Sequence, residues 1–321
     1  MGAHEATERG IDHRVFEREQ ALLPDEIGFV DVGGGGTCHD ASFARRTHVR
    51  NTFRPGRSRV GAVPTAIESP DDPRVADYQG LRDRPEAEGF FIAETELVVT
   101  RLLQSPFQVR SFLLTPKGYD KLHDQLATVD APVYVAAPAL VEQIVGFDLH
   151  RGVLASVARR PPPDLAGLLA DARRLLLIEG SNDLENLGAV IRSARGLGFD
   201  AVVLAPTCAD PFSRRSVRVS MGEIFRLPVV RARTWPEPLD LLHECGFETW
   251  ALTPSPSAAD LFTIPRPEKL ALVAGAEGPG LTDATLRHCR HRVRIPMHHG
   301  VDSLNLGHAI AIAMAVASPA V

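Results

Sequence analysis

The chain has 321 residues, 44% of them apolar and 23% charged, with a formal net charge of −5. That is the composition of a globular protein with ample core material for one large domain or two ordinary ones, and the negative balance gives no global case for nucleic acid. No apolar run approaches the roughly 18–20 residues of a membrane span, the first residues (MGAHEATERG) lack the apolar stretch of a secretory signal, and four cysteines without a CxxC pair (Cys38, Cys208, Cys245, Cys289) read as free thiols of a reducing cytoplasm.

Residues 1–60 show no sustained period of 2 or 3.6. They contain a run of four glycines (Gly33 to Gly36) and an arginine-rich stretch from Arg45 to Arg59, and read as a poorly ordered extension. The glycines lack the preceding apolar strand and the GK[ST] of a phosphate-binding loop. From Gly89 the texture changes. GFFIAETELVVTRLLQS predicts a strand entering a helix, 109–115 and 131–137 predict strands, 138–147 a helix and 152–158 a strand. Strands alternating with helices over 61–160 describe a small α/β domain. Pro161-Pro162-Pro163 opens a linker, 161–172, because prolines lack backbone donors and favour extended chain.

A second domain, 173–321, follows. Strands are predicted at 173–180, 201–206, 248–254, 269–280 (breaking into a glycine turn) and 291–296, and helices at 186–199, 236–247, 282–289 and 303–317. Repeated β–turn–α units mean a parallel sheet with ligands at the carboxyl ends of its strands. Three polar clusters fall at such ends. Asn182 to Gly188 opens the helix that carries Arg192; Asn186 is a good N-cap, and Arg192, six residues on, is expected on the same side. Gly275-Ala276-Glu277-Gly278-Pro279-Gly280 follows an apolar strand, and is either an ordinary turn or a backbone cradle. Ile295 to Asn305 precedes the last helix, where Ser303 is either a simple N-cap or functional, and Asn305, a poor helix former, needs another reason to be there.

Taken in order, NLGAVIRSARGLGFDAVVL, SMGEIFRLP, LVAGAEGPGL and RIPMHHGVDSLNLGHAIAIAMA resemble the SpoU–TrmH family of RNA 2′-O-ribose methyltransferases, of the knotted SPOUT class, over about residues 173–317. The 61–160 segment is similar to that family's ribosomal-protein-L30e-like substrate domain. The resemblance implies a deep trefoil knot and S-adenosylmethionine bound in it. Thr253, Gly275, Gly278, Ile295, Met297 and Leu304 match cofactor-binding positions, and Asn186, Arg192, Glu277, Ser303 and Asn305 match functional side chains. Gly307-His308 departs from the pattern, since relatives often carry small or β-branched residues there.

The implied activity is methylation of a ribose 2′-hydroxyl in structured RNA, rRNA rather than tRNA on account of the added domain. An antibiotic-resistance rRNA methyltransferase has the same architecture, and a non-catalytic RNA-binding ribosome assembly factor is the alternative from another class. Arg214, Arg215 and Arg218 form a local basic patch expected to meet RNA, with Arg287, Arg290, Arg292 and Arg294 a second one. His288, Cys289 and His291 only superficially suggest zinc, which needs four convergent ligands, so no metal is expected. The helix 303–317 is apolar on nearly every side and is the last element, which predicts a homodimer interface there, burial inside its own domain being the alternative.

Overall fold

A computed structural model of the chain describes residues 63–82, 89–149 and 151–318; the expected 1–60 extension, with Gly33 to Gly36, lies outside the described residues. Two sheets are present. The first contains β1 (Thr65–Ala66), β2 (Phe90–Glu94), β3 (Val109–Leu114), β4 (Val133–Val135) and β5 (Val153–Ala158) in the order β1-β4-β3-β5-β2, with β5 antiparallel to both neighbours and the remaining pairs parallel. Its helices are α1 (Glu96–Leu103), α2 (Pro116–Leu126) and α3 (Pro138–Val145). Helix α2 was not expected. Thr115 caps it, Pro116 starts it, and it buries Gly118, Leu122 and Leu126, a single narrow stripe at i, i+4, i+8.

The second sheet is wholly parallel. Its order is β10-β12-β9-β11-β6-β7-β8, where β6 is Arg174–Ile178, β7 Ala201–Leu204, β8 Val229–Arg231, β9 Glu248–Leu252, β10 Ala259–Asp260, β11 Leu270–Ala274 and β12 His291–Arg294. The central strands are unbroken apolar runs because both faces are covered. Between them run α4 (Leu165–Leu169), α5 (Leu184–Gly196), α6 (Arg214–Val219), α7 (Pro238–Glu244), α8 (Asp283–His288) and α9 (Leu306–Ala317). The expected 161–172 linker therefore contains a helix: Asp164 caps α4, which buries Leu165 and Leu169 beside Leu239 and Phe247. Cys208 and Cys289 are free and buried, Cys245 is disulfide-bonded, which corrects the expectation of free thiols at all four positions, and Cys38 lies outside the described residues. No helix among the described residues is long and apolar enough to cross a membrane.

The two sheets share one core. Phe91 of the first sheet, Phe107, Phe212 and Phe225 form an aromatic cluster with ring centroids 5.0–6.0 Å apart, within the range of favourable offset and edge contacts. Beside it the buried Glu94, last residue of β2, accepts from Arg214 (2.7 Å) and Arg218 (3.3 Å) of α6, and Arg214 also lies 4.2 Å from the Phe147 ring centroid. A buried carboxylate requires such partners. Arg214 and Arg218, expected to meet RNA, thus pair with Glu94 at the junction between the sheets, Arg218 keeping 41% of its side chain exposed. Helix α6 in turn packs tightly on α5: a Cβ at Gly188 would stand 2.6 Å from the Ser216 carbonyl oxygen, so only glycine permits this approach.

Candidate active site

Because β12, β9, β11 and β6 are parallel neighbours, the chain leaves all four at one edge of the sheet. The loops 253–258, 275–282, 295–305 and 179–183 meet there. After β9, Thr253 donates its backbone N–H to the Val293 carbonyl (3.0 Å), and its hydroxyl accepts from the Ser255 N–H (3.3 Å). After β11, the chain doubles back: Ala276 and Gly280 exchange backbone hydrogen bonds of 3.1 and 3.0 Å. Gly275 is buried beneath this fold-back, where a Cβ would lie 2.1 Å from the Gly280 carbonyl carbon. Gly278 (φ +92°) and Gly280 (φ +73°) take the left-handed conformations that the turn needs.

Three of the five side chains expected to be functional, Asn186, Glu277 and Asn305, are joined. Asn305 Nδ2 donates to Asn186 Oδ1 (3.4 Å), and Asn186 Nδ2 donates to Glu277 Oε2 (3.1 Å). Asn186 is not the cap of its helix. Asp183 is, accepting from the N–H groups of Glu185 and Asn186, and this frees the Asn186 amide for the relay. The last helix likewise begins at Leu306 rather than at Ser303. Its cap is Asn305, whose Oδ1 accepts from the Gly307 N–H (2.9 Å) and the His308 N–H (3.4 Å), while Ser303 and Leu304 stand exposed in the preceding loop. That capping role is the reason the sequence left open for Asn305. Gly307 fits because its position is crowded: a Cβ there would be 3.3 Å from Asn305 Oδ1 and 3.4 Å from Asn186 Oδ1.

Arg192 is on α5, exposed, and has no hydrogen bond to the relay. Six residues at about 100° each place it roughly 120° around the helix from Asn186 and about 9 Å along the axis. It therefore shares a face with Glu185, not with Asn186, which corrects the expectation of a common side. Arg215 pairs with Glu185 at 2.5 Å, both side chains being more than half exposed. Ile295 and Met297 are half-buried where the chain leaves β12, and the loop turns sharply through His299 (φ +58°) and Gly300 (φ +74°).

One contributor was not singled out from the sequence. Glu179, the residue after β6, is buried and accepts from both the N–H (3.1 Å) and the hydroxyl (2.8 Å) of Thr282, which caps α8. It ties the base of the 275–282 loop to the neighbouring strand. A lone carboxylate ending an apolar strand was the available signal. Cys289 ends α8 as its C-cap, and burial pushes its thiol up to about 12. Among the described residues no group of three or more His, Cys, Asp or Glu side chains is arranged to hold a metal ion.

Comparison with known proteins gives a consistent picture. The SpoU rRNA Methylase family model matches residues 173–315. The chain is 46% identical over 253 residues to an uncharacterized tRNA/rRNA methyltransferase of Mycobacterium tuberculosis, covering 76% of this chain and 88% of that one. It is 32% identical to the 23S rRNA (guanosine(2553)-2′-O)-methyltransferase RlmP of Bacillus subtilis, covering 77% of this chain and 96% of the relative. Its structure is similar to that of the SpoU methyltransferase AviRb from Streptomyces viridochromogenes, with a TM-score of 0.67 at 25% identity over 77% of this chain and 96% of the other.

Proposed function

The chain belongs to the SpoU rRNA methylase family, and from that premise we propose that it is an S-adenosylmethionine-dependent methyltransferase acting on a ribose 2′-hydroxyl of ribosomal RNA in the cytoplasm. The observation that carries this reading is the Asn305–Asn186–Glu277 relay, which draws together three loops at the carboxyl edge of a parallel sheet.

The residues there fit the cofactor. Gly278 and Gly280 present bare backbone, with no atom within 4 Å of where a Cβ would stand, a surface that polar groups of a ligand can approach closely. Half-buried Ile295 and Met297 and exposed Leu304 would supply apolar surface for a purine, with Thr253 following the neighbouring strand β9 and Gly275 supporting the 276–280 turn from beneath. When bound, S-adenosylmethionine supplies a methyl group on a positively charged sulfur. What the chain must add is alignment of the attacking oxygen, a contribution of up to roughly 7–11 kcal/mol in favourable cases. Glu277, held by Asn186, and Ser303 offer acceptors and a donor for the ribose. The Arg192 guanidinium offers a fork of N–H donors and no acceptor; its role is to grip the adjacent phosphate and favour the developing oxyanion. Exposed Arg215 extends the same basic face, whereas Arg214 and Arg218 act through the sheet junction.

Further parts of this reading concern architecture. Residues 61–160 form an L30e-like substrate-binding domain, 161–172 the connection and 173–321 the catalytic domain, whose loops are threaded as a trefoil knot. Two chains pair through α9. Ile310, Ala313, Met314 and Ala317 face the core of their own chain, while Ala311, Ile312, Ala315 and Val316 leave apolar surface uncovered or half-covered for a twofold partner. Ala311→Arg therefore splits the dimer, and a monomeric mass of the native protein by light scattering, with full activity, removes the pairing. The function itself is tested with tritium-labelled cofactor and ribosomal RNA from a strain lacking the gene. Incorporation at one ribose is the expected result. Incorporation into tRNA alone moves the target, and none into any cellular RNA replaces the enzyme with an RNA-binding assembly factor.

A further inference from the structure

Phe262 is 59% exposed, and no other Phe, Tyr or Trp among the described residues stands open to solvent in this way. Its place is specific. It follows β10, the edge strand that pairs in parallel with β12 through Ala259 with Val293 and Asp260 with Arg294, and the register continues as the Leu261 N–H donates to the Arg294 carbonyl at 2.9 Å. β10 ends at Asp260, and the chain turns through 261–264 at the carboxyl end of that strand, next to β12, whose exit carries Ile295 and Met297. The ring is thus carried at the margin of the candidate active site.

The segment that carries it is tightly held. Leu261, immediately before, is buried in the main core. The Phe262 N–H donates to Asp260 Oδ1 (2.8 Å), and the N–H groups of Thr263 and Ile264 both return to the Asp260 carbonyl (3.2 and 3.1 Å). A turn stapled in this way to a buried leucine projects an aromatic ring into water at a fixed place. Exposing a large apolar ring forgoes burial energy, and a rigid mount removes the entropy cost of ordering it later. The residue next to it in the chain, Thr263, is polar and exposed, unlike the continuous apolar face of α9, so the surroundings suit a polar ligand with one flat face.

We infer that Phe262 is a stacking platform for a nucleobase of the RNA, positioning the target nucleotide or its neighbour beside the cofactor loop. This rests on the reading of the site as an RNA methyltransferase centre. A ribose presented for methylation must be drawn out of regular helix, and unstacked bases are commonly received on aromatic side chains. Stacking tolerates every base, so the ring sets position and leaves sequence to other contacts.

The test uses the full chain, labelled cofactor and ribosomal RNA from a strain lacking the gene. Phe262→Ala is expected to lower kcat/KM for RNA by roughly 5- to 150-fold, the worth of one stacked base, with cofactor affinity unchanged by calorimetry. Phe262→Tyr and Phe262→Trp are expected to retain activity, and the introduced indole to lose fluorescence on adding RNA. Phe262→Leu, apolar without a ring, is expected to behave as Phe262→Ala. Native-level activity of Phe262→Ala or Phe262→Leu overturns the inference. So does a fall of Phe262→Ala from dimer to monomer by light scattering, which assigns the ring to a second copy. If the native protein transfers no methyl group to any RNA, the functional reading fails first.

Discussion

Substituting Gly275 by alanine is the most direct test of the 275–282 loop as part of a ligand site. The new Cβ would sit 2.1 Å from the Gly280 carbonyl carbon, 2.3 Å from its oxygen and 2.3 Å from the Leu281 nitrogen. All three are backbone atoms, and nonbonded carbon needs about 3.5 Å, so the returning strand of the loop must retreat by roughly 1.4 Å. The Ala276–Gly280 hydrogen bonds, now 3.1 and 3.0 Å, then exceed bonding distance. Glu277 moves with them, away from Asn186. Two backbone bonds and one charge-assisted bond at about 1 and about 1.5 kcal/mol each amount to roughly 3–4 kcal/mol of lost loop order. Calorimetric titration with S-adenosylmethionine is therefore expected to show affinity reduced about 10²- to 10³-fold. Thermal unfolding serves as the control, since β11 itself remains buried. Cofactor affinity within threefold of native would refute the steric argument or remove the loop from the cofactor site.

Other changes probe other parts. Arg192→Ala is expected to lower methyl transfer by roughly 10²–10³ while leaving cofactor affinity intact, because one preorganised charge contact is lost; an equal loss of cofactor affinity in calorimetry contradicts that role. Glu94→Ala leaves Arg214 and Arg218 without their carboxylate at the sheet junction, and chemical denaturation is expected to show a loss of about 1–3 kcal/mol, an unchanged midpoint being the contrary result. His243, hydrogen-bonded to Thr249 Oγ1 at 2.9 Å, has its pKa lowered below the usual 6.5, first by burial and then by Arg290. The unfolded chain therefore binds that proton more tightly, so the contribution of His243 to stability is complete above about pH 6.5 and is lost as pH falls through the folded value. The gap in melting temperature between pH 7.5 and pH 5.5 is expected to shrink in His243→Gln, and an identical gap contradicts the assignment.

What the sequence disclosed depended on how locally each feature was encoded. The buried strands β6, β7 and β11 are short apolar runs ended by Gly, Pro or a charge, and their places were readable to within a few residues. Helices α2 and α6 were not, because PKGYDKLHDQL carries too thin an apolar stripe and RRSVRV looks like a solvated charge run. The arginines of α6 face a carboxylate more than 100 residues earlier in the chain, and nothing in local spacing announces such a partner. The site shows the same division. The glycine turn and the SLN segment stood out, but the bond from Asn186 to Glu277 spans 91 positions and that from Asn305 to Asn186 spans 119. Local pattern misplaced the caps by two or three residues for the same reason: Asn186 and Ser303 are good capping types, and only the fold reveals that Asp183 and Asn305 take the positions.

The aromatic cluster that joins the sheets also limits how the chain can be divided. Cutting it at Pro161–Pro163 would leave Phe91 and Phe107 on one piece and Phe212 and Phe225 on the other, each with uncovered rings. Neither fragment inherits a finished surface, so the first sheet is no detachable module swinging on a tether. It is fused to the second sheet, and the separation between any surface of the first sheet and the loops that meet around Asn186 and Glu277 is set when the protein folds.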